Sequence, residues 1–211
     1  EMQQKLIENL TDTEIKSVMN ELYMDDKVDL LEEMPSNVVK RILKNVKKED
    51  REIINELLKY PQDSAGSIMT TEYIALKRDM SVEEAFKKIR SVGLDKETIY
   101  TCYVTDSRRQ LIGVVTAKDL LLSEPNQILG EIMEENVISA KTTDIKEDVI
   151  QVFEKYDMLA LPVVDTEDRL IGIITVDDII DVIQEENTED IEKMAAISPS
   201  DKTYLKTGVF E

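Results

Sequence analysis

At 211 residues, with 42% hydrophobic and 34% charged residues, the chain is long enough for one or two domains with substantial cores and is not disordered. Its 45 acidic residues against 26 basic ones leave a net charge of −19, which makes nucleic acid and anionic lipid surfaces poor partners and divalent cations good ones. With no histidine and one cysteine, Cys102, it has no disulfide framework, no usual zinc or copper site and little acid-base equipment, and no run reaches the roughly 18 apolar residues of a membrane span.

Residues 1–60 read as a run of short helices. Breaks at Asn9 to Asp12, Tyr23 to Asp26, Met34 to Ser36 and Val46 to Asp50 each precede an apolar pattern of helical period. The stripes are Ile15, Val18, Met19 and Leu22; then Val28, Leu30, Leu31 and Met34; then Val38, Val39, Ile42, Leu43 and Val46; then Ile53, Ile54, Leu57 and Leu58. Thr11, Asp25 or Asp26, and Pro35 or Ser36 are expected to cap them. The pattern predicts a small helical superhelix. The opening Glu1 to Lys5 is no signal peptide, and the missing initiator Met marks the chain as a fragment.

Pro61 to Ser67 is polar and punctuated by Pro and Gly, so the domain boundary is placed at 61–67. Beyond it the sequence repeats. Ile68-Met69-Thr70 recurs as Ile132-Met133-Glu134, and Leu111-Ile112-Gly113-Val114-Val115-Thr116 through Asp119 recurs as Leu170-Ile171-Gly172-Ile173-Ile174-Thr175 through Asp178. Each copy, 68–128 and 129–190, reads as a strand, a helix (Val82 to Arg90; Ile145 to Tyr156), a hairpin turned at Asp106 to Arg109 or Asp165 to Asp168, and a closing helix. One copy leaves its sheet half bare, and two packed sheet on sheet bury it, which gives an α+β fold.

The second closing helix, Thr175 to Glu192, carries eight carboxylates and no Lys or Arg. Asp178, Asp181, Glu185 and Glu189 form a ridge above an apolar stripe of Val176, Ile179, Ile180 and Ile183. The ordinary reading is a solvated acidic face. Against it, like charges stacked without Lys partners destabilise their own helix, and carboxylate oxygens suit hard cations such as Mg²⁺ or Ca²⁺. On the N-terminal domain, Asp25 and Asp29 lie at i and i+4 beside Glu32 and Glu33, a second acidic ridge able to face the first. Helix capping explains Asp25 well and Asp29 less well.

The apolar-Gly-apolar-apolar-Thr-x-x-Asp element closing each hairpin resembles that of paired cystathionine-β-synthase (CBS) domains. Tyr60 to Tyr73 and Glu185 to Ile191 further resemble the cytosolic part of MgtE-type magnesium transporters, in which a helical N domain and a CBS pair precede a membrane domain. The resemblance implies a non-enzymatic cytoplasmic region of a cell-membrane protein, homodimeric through its CBS pairs, with residues 191–211 starting a helix toward its own membrane domain. It implies that Mg²⁺ bridges carboxylates between the N domain, the CBS pair and the second subunit, and that the compact form closes the pore. The carboxylates so implied are Asp25, Asp29, Asp157, Asp178, Asp181, Glu186, Glu189 and Asp190. In CBS pairs the Thr-x-x-Asp turn often holds the ribose of an adenine nucleotide. Thr116 with Asp119 are the candidates for ATP, since Asp178 sits among too many carboxylates to serve a phosphate ligand. The competing reading is an adenine-nucleotide-responsive CBS module, and the bland one for each Thr-x-x-Asp is a helix cap.

Overall fold

The computed structural model describes residues 6, 7 and 9–194, except the side chains of 185, 186, 189, 190 and 192–194. The expected connecting segment at 195–211 therefore lies outside the described residues. In the N-terminal domain, α1 (Asp12–Glu21), α2 (Met24–Glu32), α3 (Ser36–Asn45) and α4 (Lys48–Leu57) follow the apolar stripes, which converge as Ile15, Met19, Val28, Leu31, Ile42, Ile54 and Leu57. Thr11 caps α1 in a full capping box with Glu14. The expected cap of α2 is corrected: the helix begins at Met24, so Tyr23 is its N-cap and Asp25 and Asp26 lie in its first turn. Pro35 caps α3 without a side-chain bond, and Ser36 is the first helical residue.

Residues 61–67 are tied down rather than loose. Ser64 Oγ donates to the Pro61 carbonyl and Ser67 Oγ to those of Gln62 and Ser64. The Ala65 and Gly66 N–H groups donate to Asp144 and Thr142 in the second repeat. A Cβ on Gly66 would come within 2.6 Å of the Tyr60 ring, so glycine lets that ring lie flat on the turn.

Each repeat is a β-α-β-β-α unit. The first has β1 (Ala75–Lys77), α5 (Val82–Val92), β2 (Thr101–Thr105), β3 (Leu111–Thr116) and α6 (Ala117–Leu122). A short α7 (Leu129–Ile132) leads to β4 (Ala140–Lys141), α8 (Lys146–Tyr156), β5 (Ala160–Val164), β6 (Leu170–Thr175) and α9 (Val176–Met194). Both three-stranded sheets pair the first strand parallel and the third antiparallel to the second. The hairpins end in Arg109 and Asp168 at φ 68° and 60°. The segment before each repeat crosses to the other sheet, pairing Thr70 with Ile173 and Glu134 with Val114. Gly172 and Gly113 make those crossings possible, and at Gly172 a Cβ would meet the Thr70 carbonyl at 2.6 Å.

Tyr103, Leu170 and Ile173 fill the space between the sheets. The first repeat has its own core around Leu76, Val104, Val115 and Leu120. The core of the N-terminal domain instead runs without interruption through Ala65 and Met69 into the second repeat at Leu161, Val163, Ile174 and Ile179. Ile180, expected in the buried stripe of α9, is 49% exposed. No helix among the described residues is long and apolar enough to cross a membrane.

Candidate functional site

The first turn of α2 meets the first turn of α9. Asp25 lies on the inner side of α2, 7% exposed, with one carboxylate oxygen accepting from the Asp26 N–H at 3.0 Å. Burial, reinforced by the facing charge of Asp178, pushes its pKa up to about 7. One turn on, Asp29 is pushed up to about 6 by desolvation and by Glu32, against the pull of Lys146; Asp178 adds to the rise. Asp178 is also raised, by burial first, although its Oδ2 accepts from Thr175 Oγ1 at 2.6 Å. The two ridges expected to face each other thus meet through Asp25, Asp29 and Asp178.

Two further carboxylates belong to this site, and neither lies on a periodic stripe. Glu97 follows the 3₁₀ turn Gly93–Asp95, and its Oε2 is shut from solvent without a hydrogen-bond partner. Burial, then Asp25, Asp178, Asp177 and Glu72, push its pKa up to about 8. Glu72 Oε2 accepts from the Met24 N–H at 3.1 Å, so the acceptor that α2 lacks in its own chain segment arrives from 48 residues away. The Glu97 N–H donates to the Glu72 carbonyl at 2.9 Å, which fixes the two segments together. The signal for both was the extended stretch 72–74 and the loop before β2, where a carboxylate carries no helical period.

Asp157 and Asp181 are not brought to this place. Asp157 is exposed and ends α8 in the left-handed conformation at φ 50°. Asp181 is exposed one turn farther along α9. The side chains of Glu186, Glu189 and Asp190 lie outside the described residues, though their backbone continues α9. Among the described residues no three carboxylates, histidines or cysteines converge tightly enough to form a closed metal cage. The donors are all hard oxygens, and the orphaned Glu97 Oε2 asks for a proton or a cation. That combination fits a hydrated Mg²⁺ ion, which keeps most of its waters and takes one or two carboxylates from each element.

Thr116 and Asp119 close β3 into α6 as a capping box: Asp119 Oδ2 accepts from Thr116 Oγ1 at 2.6 Å and from its N–H at 2.9 Å. The cap uses one carboxylate oxygen. Lys118 beside it is exposed.

The N-terminal 63 residues match the MgtE intracellular N domain, and residues 65–124 and 129–185 match the CBS domain; neither family describes an enzyme. The chain is 41% identical over 155 residues to the magnesium transporter MgtE of Thermus thermophilus, covering 74% of this chain and 34% of that protein. It is 37% identical over 204 residues to MgtE of Bacillus subtilis, covering 97% of this chain and 45% of that one. It therefore spans less than half the length of these relatives. The fold superimposes on a crystal structure of the cytosolic domain of the Mg²⁺ channel MgtE in complex with ATP, with a TM-score of 0.83 at 36% identity over 86% of this chain and 74% of that one. With an N domain, two CBS repeats and these relatives, the chain belongs to the CBS-domain family and corresponds to the cytosolic region of the MgtE-type magnesium transporters.

Proposed function

We propose that this chain is the Mg²⁺-sensing regulatory region of a magnesium transporter, in which Mg²⁺ bridges the carboxylates of α2 to those at the start of α9 and favours a compact, pore-closed state. The observation that carries this reading is the pairing of the buried Asp25 with Asp178 across the domain junction, beside the orphaned oxygen of Glu97. Without a cation these charges oppose docking; with one they favour it. Exposed Tyr100, Leu121 and Leu122 in the first repeat, and Leu159 and Ile180 at equivalent places in the second, support a homodimer through the CBS pairs. The test is small-angle scattering through a Mg²⁺ titration, against a monovalent salt series at matched ionic strength. Shrinkage specific to Mg²⁺ supports the reading; identical curves in both salts overturn it.

An adenine nucleotide is the second ligand this reading includes, at the N-terminal turn of α6 with Asp119 toward the ribose. It is supported by the Thr116–Asp119 geometry and by the ATP bound to a structurally similar protein. ATP binding that survives Asp119→Ala unchanged would remove it.

A further inference from the structure

A second cleft, of about 300 Å³, opens where α4 meets both repeats. Its walls are apolar: Ile53 and Leu57 from α4 on one side, Met69 and Ile171 on the other, with the phenol rings of Tyr60 and Tyr73 between them. Arg109 lines it as well. This guanidinium has no carboxylate at ion-pair distance among the described residues, although the chain carries a net charge of −19. Its only side-chain bonds are long ones, Nη2 donating to the Leu170 carbonyl at 3.4 Å and to the Tyr73 hydroxyl at 3.5 Å. The corresponding hairpin position in the second repeat is Asp168, in the same left-handed conformation and paired with Lys141. Lys77, which matches Lys141, turns to the carbonyls of Thr105 and Asp106 instead. The first hairpin thus carries a cation without a partner, and the Arg109 backbone is pinned by bonds to Asp106 and Leu170.

From this we infer that the cleft binds a small amphipathic monoanion, its apolar body between α4 and Ile171 and its carboxylate on Arg109. An apolar slot with one charged anchor is the usual form of such a site. Glu56, also on the lining, repels a second negative charge and so excludes polyphosphates. Because the walls come from the N-terminal domain and from both repeats, a bound ligand holds them together independently of Mg²⁺. The test is a fluorescence titration of the whole chain, without Mg²⁺, using 2-naphthoate and its neutral analogue 2-naphthylmethanol. The expected result is saturable naphthoate binding that Arg109→Gln weakens by about tenfold, with 2-naphthylmethanol indifferent to that change and Thr71→Trp, which fills the cleft, blocking both. Absence of naphthoate binding, equal affinity in Arg109→Gln, persistence in Thr71→Trp or displacement by ATP would each overturn the assignment.

Discussion

Asp25 sets the energetics of the junction because it is a carboxylate with almost no water, facing another carboxylate. Its folded pKa of about 7, with Asp29 at about 6 and Glu97 at about 8, lies above the ordinary carboxylate value. In that window the folded state holds more protons than the unfolded one, so stability falls as pH rises from about 4 toward 8 and levels off beyond. Mg²⁺ competes with those protons. Its increment to the melting temperature should therefore be small at pH 5.5 and large at pH 8; an increment independent of pH would exclude these groups as ligands. Asp25→Asn should raise the Mg²⁺-free melting temperature at pH 8 and flatten the pH slope, while weakening the response to Mg²⁺. Asp157 is the contrasting residue. As a left-handed helix terminus it favours glycine, so Asp157→Gly should gain up to about 1 kcal/mol in denaturant unfolding. If its role is confined to the cap, the Mg²⁺ midpoint stays where it was; a shifted midpoint would return Asp157 to the ion-binding set.

The elements most legible in the sequence were those repeated or strongly periodic. The expected helix Val82 to Arg90 runs to Val92, the expected Ile145 to Tyr156 begins one residue later, and both hairpins turn where the Asp-led tetrapeptides stand. What escaped was whatever depends on contacts between distant segments. Tyr23 caps α2 because Glu72 supplies the missing acceptor from the far side of the junction, and Glu97 sits in a loop that only the fold carries to Asp25. Ile180 satisfies the helical period of α9 but faces outward, and Asp181 leaves the junction with it, since the packed face of α9 is narrower than its apolar stripe. The glycine crossings turn this into a comparison. At Gly172 a methyl group would strike the Thr70 backbone carbonyl at 2.6 Å and Met69 Sδ at 2.8 Å, whereas at Gly113 the nearest atom is the flexible Met133 Sδ at 2.7 Å and the backbone oxygen of Glu134 lies at 3.2 Å. Gly172→Ala should cost about 1–3 kcal/mol and Gly113→Ala distinctly less, since a thioether can move and a strand carbonyl cannot. Equal losses in denaturant unfolding would show that the Thr70 crossing is as pliable as Met133.

At the scale of the whole molecule, two opposed forces act on the seat of the N-terminal domain. The carboxylates of α2 and α9 repel, while the apolar seam through Leu57, Ala65, Met69 and Ile174 holds. The seam is one core with the second repeat, and the first repeat keeps a separate core of its own. Loss of Mg²⁺ therefore strains a shared core rather than parting two finished surfaces, so its effect should be unequal between two repeats that look alike. Amide exchange reads this directly. Without Mg²⁺ at pH 8, protection should fall in β5, Ala160–Val164, and hold in β2, Thr101–Thr105. Adding Mg²⁺ should restore β5, and Asp178→Asn combined with Glu97→Gln should protect it without Mg²⁺ and abolish the response. Loss of protection shared equally by both sheets would mean that the cation stabilises the repeat pair as a whole, and the junction of α2 with α9 would no longer be the place where Mg²⁺ acts.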